Sequence, residues 1–122
     1  MVLEELLNIL EADKNLATLL KVDVRSSKIM PMPLITDGIG FNFIPLTNDG
    51  NKIQSVFELT IANVMLDKCY EIKDRIDSLI ITKGNDNLTS TIQSVSQNGG
   101  GFYYDADLKM YKLKTNYTVI SR

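Results

Sequence analysis

Apolar residues at Val2, Leu3, Leu6, Leu7 and Leu10 follow the three-and-four spacing of an amphipathic helix. Glu4 and Glu5 stand in its first turn, where acids complement the helix dipole. Asp13 is placed to cap a second short helix with Leu16, Leu19 and Leu20 as its buried stripe. The pattern then changes. Pro31 and Pro33 alternate with Met30, Met32 and Leu34, and proline favours extended backbone, so 26–36 is predicted to be extended, as an edge strand. Asp37-Gly38 signals a turn, and Ile39, Phe41 and Phe43 then alternate with Gly40, Asn42 and Ile44 as in a strand. Thr47-Asn48-Asp49-Gly50-Asn51 is the strongest turn in the sequence, a hairpin turn. The strand after it, Lys52 to Met65, has Ile53, Phe57, Leu59 and Ile61 on one face and Gln54, Val56, Glu58, Thr60 and Val64 on the other. Both faces are partly apolar, which predicts a central position in the sheet.

Asp67 is predicted to cap a helix running to about Ile81, with Ile72, Ile76, Leu79 and Ile80 buried and Glu71 paired to Arg75 on the solvent side. Gly84 is its expected C-terminal cap. Residues 88–97 read as a strand, broken at Asn98-Gly99-Gly100-Gly101 and followed by a loop through Phe102, Tyr103, Tyr104 and Asp105. In the last strand, about 109–121, Tyr111, Leu113, Tyr117 and Val119 share one face and Lys112, Lys114, Asn116 and Thr118 the other, so one face is expected in the core and one in water. The order of helix, strands, helix, strands predicts an α+β sandwich, an antiparallel or mixed sheet with helices on one face, in a single domain spanning 1–122.

Composition agrees with a folded chain: of 122 residues, 44% are hydrophobic and 23% charged. The net charge of −2 lacks the basic excess that phosphate neutralisation demands of nucleic-acid binders. Histidine is absent, which removes the commonest general base and transition-metal ligand. The lone Cys69 allows no internal disulfide, the acidic start is a poor signal peptide, and no apolar run reaches membrane-spanning length. The expectation is a cytoplasmic origin, no cofactor, no metal and no membrane.

The remaining chemical motifs are weak. Gly99-Gly100-Gly101 lacks the Gly-Lys-Ser/Thr of a phosphate loop and precedes a strand, so it reads as a flexible loop. Gly38-Ile39-Gly40 lacks the third glycine of a dinucleotide fingerprint. Asp105 and Asp107 lack the rest of a calcium loop and read as solvated acids. Cys69 has no histidine to activate it and reads as a half-buried structural residue. Lys112, Lys114 and Asn116 form a candidate solvent face, with Tyr111 and Tyr117 expected on the opposite side, unlike a nucleic-acid stacking platform. The segment from Pro31 to Pro45 differs. With the preceding Met30 it concentrates Met32, Leu34, Ile35, Ile39, Phe41, Phe43 and Ile44, either as core or as a subunit interface, since exposed apolar surface of this extent marks partner sites.

The element order also carries a resemblance. A helix leads to Met-Pro-Leu-Ile (32–35), a strand and a polar turn. Then come the long strand with Ser-Val-Phe-Glu-Leu-Thr-Ile (55–61) and a helix beginning near an aspartate. The Gly-Gly-Gly-Phe-Tyr-Tyr-Asp-Ala-Asp segment (99–107) and a closing strand with Asn-Tyr-Thr-Val-Ile (116–120) finish the layout. This layout resembles the tail-terminator, or tail-completion and head–tail joining, proteins of tailed bacteriophages and prophage-derived tail particles. The resemblance implies an α+β sandwich without cofactor or reaction. Its subunits would close a ring, commonly hexameric, on the tail tube and end tube polymerisation. It implies partners in the tail-tube protein and in a neck, connector or sheath protein, with only transient passage of DNA. It also implies synthesis in a host bacterial cytoplasm and a final place at the head-proximal end of the tail. On that reading Met30, Met32, Leu34, Ile39, Phe41 and Phe43 are the candidate subunit interface. Gly99, Gly100, Gly101, Phe102, Tyr103 and Tyr104 are the candidate partner loop, and Lys112, Lys114 and Asn116 face the lumen or solvent. The competing readings are another neck or minor capsid protein, and a small ligand- or peptide-binding regulatory module with 98–108 as a lid.

Overall fold

The computed structural model describes residues 2–21, 28–33, 36–83 and 86–122; Leu34, Ile35 and Gly84 lie outside them. The leucine stripes make two helices, α1 (Val2–Glu11) and α2 (Lys14–Leu20). Asp13 caps α2 as its position predicts, its Oδ2 accepting from the Leu16 N–H at 2.7 Å. The chain then forms a short edge strand β1 (Ile29–Pro31), a hairpin β2 (Gly38–Asn48) and β3 (Ile53–Asn63), a helix α3 (Leu66–Ile80), and a second hairpin β4 (Ile92–Asp105) and β5 (Met110–Ser121).

The strands lie in the order β1-β2-β3-β5-β4. All pairs are antiparallel except β1 with β2, so the sheet is mixed and the fold is α+β. β3 is central, as its two-sided apolar pattern requires. Gly38 starts β2 with φ +136, and a Cβ there would stand 2.5 Å from the Lys28 carbonyl oxygen, so β1 can approach β2 only at a glycine. In the β2–β3 turn, Asp49 Oδ1 accepts from the Asn51 and Lys52 N–H groups and Asn48 Oδ1 from Gly50, the self-bonding that selects Asx residues for turns.

All three helices cover one face of the sheet. Leu6, Leu10, Leu16 and Leu20 meet Cys69, Ile72, Ile76 and Ile80 of α3, over Ile39, Phe57, Leu59, Ile61, Leu113, Tyr117 and Val119. Burying each large aliphatic or aromatic side chain stabilises the fold by roughly 1.5–3 kcal/mol.

Several local expectations change. Helix α3 is capped by Met65 without a side-chain hydrogen bond, and Asp67 lies inside the first turn, because the chain leaves β3 through a corner that keeps Met65 extended. Arg75 turns away from Glu71 and makes a two-pronged contact with Asp13, Nε to Oδ2 at 2.9 Å and Nη2 to Oδ1 at 2.6 Å. Glu71 pairs with Lys68 at 3.1 Å. The contact with Asp13 wins because a guanidinium fork matches a carboxylate already fixed by its cap. Residues 88–91 are bends, and the strand begins at Ile92. There Thr89 Oγ1 accepts from the Ile92 N–H at 2.9 Å, closing a local turn.

The largest change is at Gly99-Gly100-Gly101. The glycines do not break the strand. β4 continues through Phe102, Tyr103 and Tyr104 to Asp105, paired to β5 from Gly100↔Thr115 to Asp105↔Met110, with a register shift between Gln97 and Gly100. Gly100 lies with φ +151, and a Cβ there would come 2.4 Å from the Lys114 carbonyl oxygen. The glycine thus permits the bulge and the close approach of β5. A lid made of 98–108 is incompatible with this pairing.

Candidate assembly interface

The apolar stretch after Pro31 divides between core and surface. Ile39 is fully buried, and Phe41 and Phe43 are half-buried on the helix-covered face, with the Phe43 ring 6.3 Å from that of Phe57. Ile39 therefore belongs to the core of the single chain, and Phe41 and Phe43 pack against that core while keeping part of their surface open. Met30 and Met32 are half-buried; Met30 packs beside Ala62 and Met110, and the Met32 sulfur lies 3.6 Å from Thr60 Oγ1. The exposed apolar residues of β2 are the next ones along, Ile44 and Leu46.

The region read as a partner loop is the richest exposed surface. Every residue from Ser96 to Tyr104 is exposed, with Phe102, Tyr103 and Tyr104 at 52, 44 and 52%. The side chains alternate across the sheet. On the helix side, Phe102 meets Tyr70 of α3 edge-on with ring centres 6.4 Å apart, and Tyr104 meets Tyr111 at 5.1 Å. On the open side, Tyr103 lies under the Lys114 ammonium, 5.7 Å from the ring centre. An aromatic does therefore stand beside the lysine face, supplied by β4; alternation within β5 cannot reveal a neighbour from another strand.

Lys114 is exposed and Asn116 half-buried. Lys112 is half-buried and bonded to Asp105 at 3.1 Å, which corrects the expectation that it is solvated. Asp105 is a structural acid as well, since its Oδ1 accepts from the Asp107 and Leu108 N–H groups at 3.0 and 3.1 Å and so ties the β4–β5 turn. These bonds, that of Leu108 first, hold its carboxyl below the usual aspartate range.

Cys69 is fully buried, its Sγ 3.6 and 3.8 Å from the Ile61 and Tyr111 carbonyl oxygens, and burial pushes its thiol up, away from the reactive thiolate. The buried Tyr117 hydroxyl donates to Asp77 at 2.5 Å, Lys73 bonds the same carboxylate at 2.6 Å, and Lys73 also reaches Gln97 at 3.3 Å. This network fastens α3 to β5 and β4. Burial first, then the Asp77 carboxylate, raises the tyrosine's pKa far above its ordinary value. Among the described residues no group of three or more Cys, Asp or Glu side chains is placed to hold a metal ion, and no helix is long and apolar enough to cross a membrane.

Among the described residues the outermost strand β4 is covered at one end. There Thr82 bonds both the N–H and the carbonyl of Val95, at 3.0 and 3.4 Å from its hydroxyl, and Leu88 and Thr89 donate to the Ile92 carbonyl. From Ser96 to Tyr104 no further strand among the described residues is paired on the outer side. At the other margin β1 pairs Ile39–Phe41 of β2, and among the described residues no strand lies beside Asn42–Asn48 on that side. Next to this stretch lies a shallow, mainly apolar groove of about 510 Å³, lined by Val2, Leu3, Phe43, Pro45 and Ile53 among others.

Fold and surface together define a one-sided α+β sandwich whose two sheet margins are open among the described residues. No protein-family profile and no curated protein matches the chain. Among solved structures it is similar to a chain from the virion of a native gene transfer agent particle. The TM-score is 0.67 at 10% identity, over 95% of this chain and 90% of that one. At that identity the likeness is one of fold.

Proposed function

We propose that this chain is a structural subunit of a phage or phage-derived tail particle. In this role it forms a ring that caps the tail tube, ends tube polymerisation and joins the tube to the neck or head; it is not an enzyme. The observation that carries this reading is the fold shared over nearly the whole length of both chains with a chain of a gene transfer agent virion. The resemblance in element order to tail terminators supports the finer role. The exposed aromatic margin at Phe102, Tyr103 and Tyr104 supports assembly, since large exposed apolar surface marks partner sites. A near-neutral charge suits a conduit that releases DNA.

Co-production with the tail-tube protein of the same particle tests the role. The expected result is a ring at one end of each tube in electron micrographs, tubes of limited length, and a closed oligomer, hexameric on this reading, in native mass spectrometry. Tubes of unchanged length with no bound ring would refute the capping role. Binding to a connector in place of the tube would make the chain another neck protein.

A further inference from the structure

We infer that the ring contact is strand addition between copies: the aromatic end of β4 in one copy docks on the free stretch of β2 in the next. This inference rests on the ring reading and names the surfaces that close it. Edge strands are ordinarily guarded by lysine, proline, twist or cover, because unpaired backbone groups invite another chain. The free part of β4 has none of these charges. The sequence contains no charged residue from Leu88 through Tyr104, nor from Gly38 through Asn48, in a chain that is 23% charged. Two uncharged margins at opposite sides of one sheet carry no repulsion against each other.

The geometry matches in sense. Within the sheet, β4 and β2 run in opposite directions, since β2–β3, β3–β5 and β5–β4 are all antiparallel. Copies arranged with their sheets in the same sense therefore pair β4 with the next β2 antiparallel, the favoured ladder. The side chains match in kind. Phe102 and Tyr104 project from β4 on the helix side, the side on which Phe43 and Pro45 of β2 line the apolar groove. Ile44 alternates with them onto the open face and is exposed, as Tyr103 is. Pro45 offers no N–H, so the pairing draws on donors to either side of it. A contact made from two different margins is heterologous. Because Phe102 stands level with Ile39 within one sheet, the docked β4 is slid along the next β2. The contact closes a ring when its repeat is a pure rotation, whereas β4 on β4 would stop at a dimer.

Two double variants test this in the full chain, Phe102→Lys with Tyr104→Lys for the β4 margin, and Ile44→Lys with Leu46→Lys for the β2 margin. All four positions are exposed, so both variants are expected to keep the wild-type circular dichroism spectrum. Each alone should lose every species above monomer in native mass spectrometry. An equimolar mixture should recover a heterodimer and nothing larger, because one intact β4 margin then meets one intact β2 margin. Hydrogen exchange on the wild type supplies a readout free of substitution: amides in 96–104 and 42–48 should slow together as assembly proceeds. Wild-type rings with variants that assemble equally well, or protection elsewhere, overturn the strand-addition contact and leave the ring standing. A β2-margin variant that still dimerises would instead mean β4-to-β4 pairing. A wild type that stays monomeric even with the tube protein overturns both the contact and the ring.

Discussion

Asp13 is asked to do two things at once, and the two can be separated by substitution. Its carboxylate caps α2 through Leu16 and holds the Arg75 guanidinium from α3, 62 residues away in sequence. Loss of an aspartate cap costs about 1 kcal/mol. The contact to Arg75 is charge-assisted and two-pronged, but the arginine side chain is 32% exposed and rehydrates when released, so its loss at Asp13 is set at about 1 kcal/mol. Asp13→Ala should therefore cost about 2 kcal/mol. With unfolding entropy of about 2.1 cal/mol/K per residue, a chain of 122 residues loses roughly 4 °C in Tm per kcal/mol, so the drop is about 8 °C. Asp13→Asn keeps a capping oxygen and should lose about half as much. The assay is thermal unfolding followed by circular dichroism at neutral and acidic pH. The Arg75 hydrogen bond, against the opposing effect of burial, holds the Asp13 carboxyl below its ordinary value. A depressed carboxylate contributes stability that is complete above the unfolded value of about 3.9 and is lost as pH falls through the folded value below it. The gap between wild type and Asp13→Asn should therefore narrow below about pH 4. An Asp13→Asn loss as large as that of Asp13→Ala, or a gap that widens in acid, would refute this division of roles.

Three further outcomes are expected. Phe43→Asp should destabilise the monomer by about 3 kcal/mol or more, because it places a carboxylate against the buried Phe57, and urea titration of the monomer reads it. Gly100→Ala should cost about 1–3 kcal/mol through backbone strain and the approach to the Lys114 carbonyl, visible as a lowered denaturation midpoint with an unchanged slope. Cys69 should resist thiol reagents in the native protein and react at the rate of unfolding, which timed labelling with and without urea measures.

The sequence was most legible where one side-chain period governed a segment. The leucines of α1, the isoleucines of α3 and the alternation in β3 and β5 each named an element and its buried face. The Asn-Asp-Gly-Asn turn named the hairpin between β2 and β3. Legibility failed where structure comes from a partner far along the chain. Gly99-Gly100-Gly101 carries no alternation, and it is strand only because Thr115 and Lys114 stand opposite to pair with it. Arg75 had an acid one turn away and chose Asp13, which no local rule reaches. For Phe41 and Phe43, periodicity put them on the same face as Ile39, but whether that face meets helices or another subunit depends on where α1 and α2 pack. For the candidate site, the aromatic run at Phe102–Tyr104 was legible as a candidate partner surface, while its nature as a strand margin was not. The long uncharged runs that flank both margins were the signal that could have revealed it.

The pairing of β3 with β5 sets an order of events during synthesis. The middle of the sheet joins Ile53–Asn63 to Tyr111–Ser121, across all of α3 and β4. Contacts of such wide sequence separation form late. A nascent chain therefore cannot complete its sheet until the β5 segment has left the ribosome. β4, which reaches the sheet only through β5, acquires its outer margin last of all. An aromatic edge that forms only once β5 has joined the sheet is not presented by neighbouring chains on one messenger whose β5 is still unmade, which gives them little chance to tangle there.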